Sequence, residues 1–158
     1  MITTYIFDLD GVIVDTAKYH YLAWKKLADE LEIDFTLEHN ELLKGVSRIR
    51  SLEIILELGK KEISTSDFER FLIQKNEDYL TYIDKMDSSE ILPDVLEKLK
   101  FVKEINRKIV LGSASKNGKP ILEKVGLLEY FDAIVDGNDV SKAKPDPEVF
   151  LIGTQKVN

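Results

Sequence analysis

The chain opens on a short apolar run. From Ile2 to Leu9 the apolar residues stand almost side by side, the pattern of a strand buried on both faces rather than of one with a solvent side. From Ala17 the spacing changes. Leu22, Ala23, Leu27 and Leu31 recur at helical intervals and predict a helix to about Leu31, with Asp15 and Thr16 available to cap it. A short helix is expected over Glu38–Leu43. Gly45 to Arg48 interrupts the pattern, Ser47 can cap a helix over Ile49–Leu58, and Gly59 stands where a C-terminal glycine belongs. Ser66-Asp-Phe-Glu69 fits a capping box opening a long helix to about Ile83, with Phe68, Phe71, Leu72, Tyr79 and Leu80 as its apolar stripe. No convincing strand lies between Thr16 and about Met86.

Strands return after Asp87. Pro93 suits the first turn of a helix running to about Glu104, and Lys108–Gly112 reads as a buried strand. A helix follows to Val125 with Gly126 closing it, Ala133–Asp136 is a third short strand, and Asp146 and Pro147 open a last helix. Alternating strands and helices are the mark of a parallel sheet. The expected class is therefore α/β: a Rossmann-like parallel-sheet core built from residues 1–15 and 88–158, with an inserted α-helical cap over residues 16–87. The linkers fall at about Val14–Thr16 and Lys85–Ser89 and would form a hinge, to which Asp15 and Thr16 belong.

Composition narrows the functions open to such a chain. Its 158 residues suit one domain or a core with a modest insertion, and 44% of them are apolar, enough for a sizeable core. A net charge of -7 argues against nonspecific nucleic-acid binding. The absence of cysteine removes disulfides, thiol catalysis and cysteine-based zinc sites. No run approaches the ~20 apolar residues of a membrane helix, and the N-terminus does not read as a secretory leader. A cytoplasmic protein with no membrane partner is the expectation.

The candidate chemistry gathers at predicted strand ends. Asp8 and Asp10 are two apart, so they project to the same side at the end of the first strand, where open parallel sheets bind ligands. Two close carboxylates repel, and a hard cation such as Mg²⁺ would relieve them. Alone, the pair is equally a strand end with solvated acids followed by an Asp-Gly turn. Ser113-Ala-Ser-Lys-Asn117 enters a helix N-terminus and could hold a phosphate through backbone N–H groups, Ser113, Ser115 and Lys116; by itself it reads first as an ordinary helix cap. Lys144, preceding Pro145, is either a fixed cation or a solvated loop lysine.

Together these residues resemble the signature of the haloacid dehalogenase superfamily: Asp8-Leu-Asp10-Gly11 as its first motif, Ser113 as its second and Lys144 in a Lys-Pro-X-Pro setting as its third. Further stretches are similar to the sugar-phosphate mutases of that superfamily: Thr16-Ala-Lys-Tyr-His20 through Trp24-Lys25, Lys44-Gly-Val-Ser-Arg48, Lys75-Asn76 and Ser113 to Gly118. The resemblance implies that Asp8 is the nucleophile, forming an aspartyl phosphate, and that Asp10 is the general acid/base. It implies Mg²⁺ as cofactor, held by the Asp8 carboxylate and the Asp10 backbone carbonyl. Ser113 and Lys144 would hold the transferring phosphate. Arg48 would grip a distal phosphate, assisted by Ser115, Lys116 and Asn117. His20 and Lys75 would couple cap closure to Asp10, and Trp24 with the Gly45 and Val46 backbone would line the sugar site. The implied reaction converts β-glucose 1-phosphate to glucose 6-phosphate through a 1,6-bisphosphate. A sugar-phosphate or phosphoglycolate phosphatase is the alternative enzyme. His39 receives no role.

One part of the superfamily pattern is not found. A fourth motif, an acidic pair after a fourth strand, would supply the remaining metal carboxylate, yet Asp132, Asp136 and Asp139 all precede the third motif. The expectation is an incomplete core lacking strands four and five, with weak metal affinity and little turnover. On that reading the first strand becomes an open apolar edge, so that the fragment self-associates where a complete chain would be monomeric. A non-catalytic fragment that binds phosphate ligands or a partner is the third reading.

Overall fold

The computed structural model describes residues 1–158. The chain divides into two compact units, one formed by Met1–Thr16 with Lys85–Asn158 and the other by Ala17–Asp84.

The first unit is built on a three-stranded parallel sheet in the order β1-β2-β3, from β1 (Thr4–Phe7), β2 (Lys108–Gly112) and β3 (Ala133–Val135). Tyr5 pairs with Ile109 and Phe7 with Leu111, while Leu111 pairs with Ile134. The parallel class expected from the alternation is thus present. The central strand is β2, whose Ile109, Val110 and Leu111 are fully buried. β1 is shorter than the apolar run suggests and only half-buried throughout, because it has a strand neighbour on one side alone. Helices α5 (Val95–Glu104), α6 (Gly118–Val125) and α7 (Glu148–Val157) complete the unit. Val149 of α7 packs on Val110 and Val135, joined by Ile6 and Ile152.

Two expected helix starts in this unit differ. Pro93 and Asp94 form a turn before α5 rather than its first turn. The Leu92 N–H donates to the Ile13 carbonyl at 2.9 Å and Val14 bridges Ile91, so the chain stays extended there and must turn before the helix begins. α7 begins one residue after Pro147, with Asp146 Oδ1 accepting from the Glu148 N–H.

The second unit holds α1 (Ala17–Glu30), α2 (Leu37–Glu41), α3 (Arg48–Gly59) and α4 (Thr65–Ile83) around one core of Trp24, Leu27, Phe35, Leu52, Ile55 and Phe71 with their neighbours. α1 buries Ala23, Trp24, Leu27 and Ala28, whereas Leu22, expected inside, is exposed. Thr16 does not cap α1 through its hydroxyl, which is buried without a hydrogen-bond partner. Ser47 caps α3 as expected. Gly59 is not the left-handed terminal residue: Lys60 takes that conformation, at φ 51°. Gly59 is instead the point of closest approach to Ile33, whose Cγ1 lies 2.4 Å from where a Cβ would stand. α4 starts two residues earlier than the expected box, capped by Ser64, whose hydroxyl oxygen accepts from the Asp67 N–H. His39 closes a capping box on α2, its Nδ1 accepting from the Thr36 N–H while Thr36 Oγ1 accepts from the His39 N–H. No helix is long and apolar enough to cross a membrane.

Candidate functional site

In the sheet unit the chain turns sharply as it leaves β1. The Leu9 carbonyl accepts from the Val12, Ile13 and Val14 N–H groups, and Gly11 sits at φ 76°, a conformation that costs a side-chain-bearing residue about 1 kcal/mol. Leu9, Ile13 and Val14 are fully buried beneath this turn, so the carboxylates of Asp8 and Asp10 flank an anchored backbone. Both aspartates are half-buried.

Lys144 closes the site from the opposite side of the sequence. Its Nζ lies 3.1 Å from Asp8 Oδ1 and donates to the Gly112 carbonyl at 2.9 Å. The Leu9 N–H donates to the same Asp8 Oδ1 at 2.8 Å, so neither contact engages Oδ2. An ammonium on one carboxylate oxygen offsets part of the carboxylate's charge and so lowers the cost of bringing a second anion up to Asp8. Lys144 is therefore not a solvated loop lysine, and the Lys144–Pro145 peptide bond is cis.

Ser113 follows β2 directly and is almost fully buried, its N–H donating to the Val135 carbonyl. Its hydroxyl oxygen accepts from the Ser115 N–H and the Ser115 hydroxyl oxygen accepts from the Asn117 N–H, each at 3.1 Å. A hydroxyl that accepts from its own loop keeps its proton to donate, which suits an anion. Asn117 precedes α6 without capping it through its side chain, and Lys116 is exposed. No side chain of this stretch caps α6, so the ordinary helix-cap reading does not hold; the serine oxygens instead order the loop ahead of the helix.

The donors here suit a hard cation in kind, since carboxylate and carbonyl oxygens are what Mg²⁺ takes alongside water and phosphate. They are few in number. No three His, Asp or Glu side chains of the chain converge well enough to hold a metal ion.

The helical unit carries a second constellation. Lys75 is only 4% exposed, in the middle of the α4 stripe between Phe71 and Tyr79. Its Nζ lies 3.0 Å from His20 Nδ1 and 4.8 Å and 4.9 Å from the ring centroids of Trp24 and Tyr79. His20 stacks on Tyr79 with centroids 4.1 Å apart. Burial, followed by the neighbouring Lys75 and Arg48 cations, pushes the His20 pKa down to about 3. The imidazole is thus neutral and its Nδ1 accepts from the lysine ammonium. Arg48 Nη2 donates to Asn76 Oδ1 at 2.7 Å, and burial lowers the guanidinium pKa. Gly45, at φ 71°, is exposed and Val46 half-buried in the turn before α3.

The site residues expected from the sequence thus fall into two sets. Asp8, Asp10, Ser113, Ser115, Lys116, Asn117 and Lys144 belong to the sheet unit, together with Asp15 and the fully buried Thr16 at its boundary. His20, Trp24, Gly45, Val46, Arg48 and Lys75 belong to the helical unit. Two contributors receive no functional reading from the sequence, the Gly112 carbonyl and the Tyr79 ring, which reads only as part of the apolar stripe. Asn76 stands beside Lys75 in the family resemblance but has no role of its own there.

Residues 5–158 match the family of haloacid dehalogenase-like hydrolases. The chain is 45% identical over 148 residues to a β-phosphoglucomutase of Bacillus subtilis, covering 92% of this chain and 66% of that protein. It is 29% identical to a phosphorylated carbohydrates phosphatase of Thermotoga maritima, covering 97% of this chain and 69% of the relative. The crystal structure of a β-phosphoglucomutase from Clostridium difficile superposes with a TM-score of 0.91 at 46% identity, covering 99% of this chain and 71% of that one. The chain thus spans about two thirds of the length of these relatives.

Proposed function

The chain belongs to the haloacid dehalogenase-like hydrolase family, and from that premise we propose that it carries the phosphoryl-transfer machinery of a β-phosphoglucomutase, interconverting β-glucose 1-phosphate and glucose 6-phosphate. The observation that carries this reading is Lys144 Nζ lying 3.1 Å from Asp8 Oδ1 while bound to the Gly112 carbonyl, beside the Ser113 loop.

Asp8 attacks the phosphorus, its carboxylate oxygen forming a P–O bond as the bond to the sugar oxygen breaks. Asp10 gives a proton to the departing sugar oxygen and takes one from the hydroxyl that attacks in the return transfer. β-Glucose 1-phosphate takes the phosphoryl group from Asp8 onto its 6-hydroxyl to give the 1,6-bisphosphate, which turns end for end while Asp8 is free and returns its 1-phosphate to Asp8, leaving glucose 6-phosphate and restoring the acyl phosphate. Lys144 and Ser113 hold the phosphoryl oxygens in line. Mg²⁺, held by the Asp8 carboxylate and the Asp10 carbonyl, would offset the charge shared by carboxylate and phosphate. Arg48, with Asn76 steadying its guanidinium, is the helical unit's candidate for a phosphate of the substrate, and Ser115, Lys116 and Asn117 are the sheet unit's. Trp24 and the Gly45 and Val46 backbone would meet the sugar.

A second reading, a sugar-phosphate phosphatase, draws on the same Asp8, Ser113 and Lys144 and on relatives such as the phosphorylated carbohydrates phosphatase. Treating the chain with β-glucose 1,6-bisphosphate and Mg²⁺, then trapping acyl phosphates with hydroxylamine and mapping the adduct by mass spectrometry, tests the shared step. Label on Asp8, lost in Asp8→Asn, is expected; equal label in the variant would overturn the assignment. With β-glucose 1-phosphate then added as substrate, glucose 6-phosphate formed in excess of free phosphate supports the mutase, and free phosphate matched by free glucose supports the phosphatase.

A further inference from the structure

Lys144 sits in a loop, and its usefulness depends on where that loop holds its Cα. A lysine has four rotatable carbons and about 2 kcal/mol of rotamer entropy, so two contacts at Nζ do not by themselves fix its approach. The loop between Val140 and α7 contains two prolines and no regular structure, a composition that ordinarily leaves a surface segment mobile.

This loop is tied shut by one side chain. Glu148, the first residue of α7, turns its carboxylate back on the start of the loop. Its Oε2 accepts from the Ser141 N–H at 3.0 Å and from the Lys142 N–H at 2.6 Å, while Oε1 accepts from the Ser141 hydroxyl at 3.0 Å. At the loop's other end the Glu148 N–H donates to Asp146 Oδ1, and the Asp146 N–H donates to the Ala143 carbonyl. Residues 141–148 therefore form a closed ring with Lys144 inside it. The Lys142 N–H, ahead of the Ser141 hydroxyl and N–H, holds the Glu148 carboxyl below the usual carboxylate range. An acidic residue in a helix's first turn needs no explanation beyond the helix dipole. Here, however, the carboxylate serves donors seven and six residues earlier in the chain, which the dipole does not require.

We propose that Glu148 is a positioning residue for Lys144: its carboxylate closes the 141–148 loop and thereby sets the lysine ammonium against Asp8 and the Gly112 carbonyl. The functional meaning of this rests on the reading of Asp8 as the phosphoryl acceptor, but the positioning itself does not.

Nuclear magnetic resonance of the intact chain tests it without substrate. In Glu148→Ala the Ser141 and Lys142 amides should exchange at least about tenfold faster, the loss expected for charge-assisted hydrogen bonds. The Lys144 side-chain ammonium resonance, held apart from the other lysines by Asp8, should move toward the free-lysine position. Glu148→Gln, which keeps one carbonyl acceptor, should recover part of both effects. Faster amide exchange with an unmoved Lys144 ammonium would overturn the proposal, as would an unmoved ammonium with unchanged exchange. If the ammonium moves, the Asp8 adduct should form at least tenfold more slowly in Glu148→Ala than in the wild-type chain. If the ammonium moves and the wild-type chain forms no adduct, the positioning stands and the phosphoryl-transfer reading falls.

Discussion

At the scale of single residues, His20 has the sharpest consequence. It is neutral because burial excludes the imidazolium and because a proton on the ring would set two cations 3.0 Å apart. The folded pKa of about 3 lies below the ordinary 6.5. Between those values the unfolded chain takes up a proton that the folded chain refuses, so His20's contribution is complete above pH 6.5 and is lost as the pH falls. Across that window the loss runs at about 1.4 kcal/mol per pH unit. Urea unfolding at several pH values should therefore show an acid limb that is shallower in His20→Gln, where the amide oxygen can still accept from Lys75. Equal limbs, or a folded-state His20 titration near 6.5, would count against the buried neutral ring. The pair joins residues 55 apart in the chain, which no spacing argument reaches. Only the family resemblance puts the two residues together, and the packing of Lys75 against the Trp24 and Tyr79 rings lies outside what the sequence carries.

At the scale of elements, the misread boundaries have local causes. Ser64-Thr-Ser-Asp-Phe-Glu69 offers two overlapping capping frames. Ser64 takes the cap because it places Ile63 just before the cap and Phe68 four residues into α4, and both pack on the unit's core, a hydrophobic staple the later frame would forfeit. Gly59 reads as a terminal glycine because helices commonly end on one, but the left-handed residue is Lys60 and Gly59 is small for the sake of Ile33. Gly59→Ala should then destabilise the chain by about 1–3 kcal/mol, the range for overpacking a filled core. Trimming the partner with Ile33→Val should make the double variant less destabilised than the two single effects added, as measured by a denaturation double-mutant cycle. A stabilised Gly59→Ala, as expected of a helix-interior glycine with room beside it, would show that Ile33 yields freely. The elements read correctly were those whose pattern matches their final burial, such as β2, whose contiguous apolar run lies at the centre of the sheet. β1 has a similar run but only one strand neighbour, and neighbours are not written in a strand's own sequence.

At the scale of the whole molecule, the sheet raises the remaining question. β1 offers one edge to β2 and has no strand on the other, although Tyr5, Ile6 and Phe7 make it apolar and no proline or charge interrupts Thr4–Phe7. Unpaired edges of this composition pair with other chains unless blunted. Ile6 is committed to the α7 side of the sheet with Val110 and Val149, and Phe7 packs edge-on against Phe131. The side chains are thus partly satisfied, and the open capacity lies in the backbone N–H and C=O groups. Association should therefore be concentration-dependent and register-tolerant rather than a fixed interface, since backbone pairing alone specifies register weakly. Light scattering over a wide concentration range should show a rising mean mass. Tyr5→Lys, which puts a charge on the edge strand without removing a core residue, should hold the chain nearer to a monomer while the His20 and Lys144 environments stay unchanged. A wild-type chain that remains a monodisperse monomer at the highest concentration would mean that the edge is already protected within the chain. Undiminished association in Tyr5→Lys would move the interface away from β1, to exposed apolar residues such as Phe101, Phe150 and Leu151.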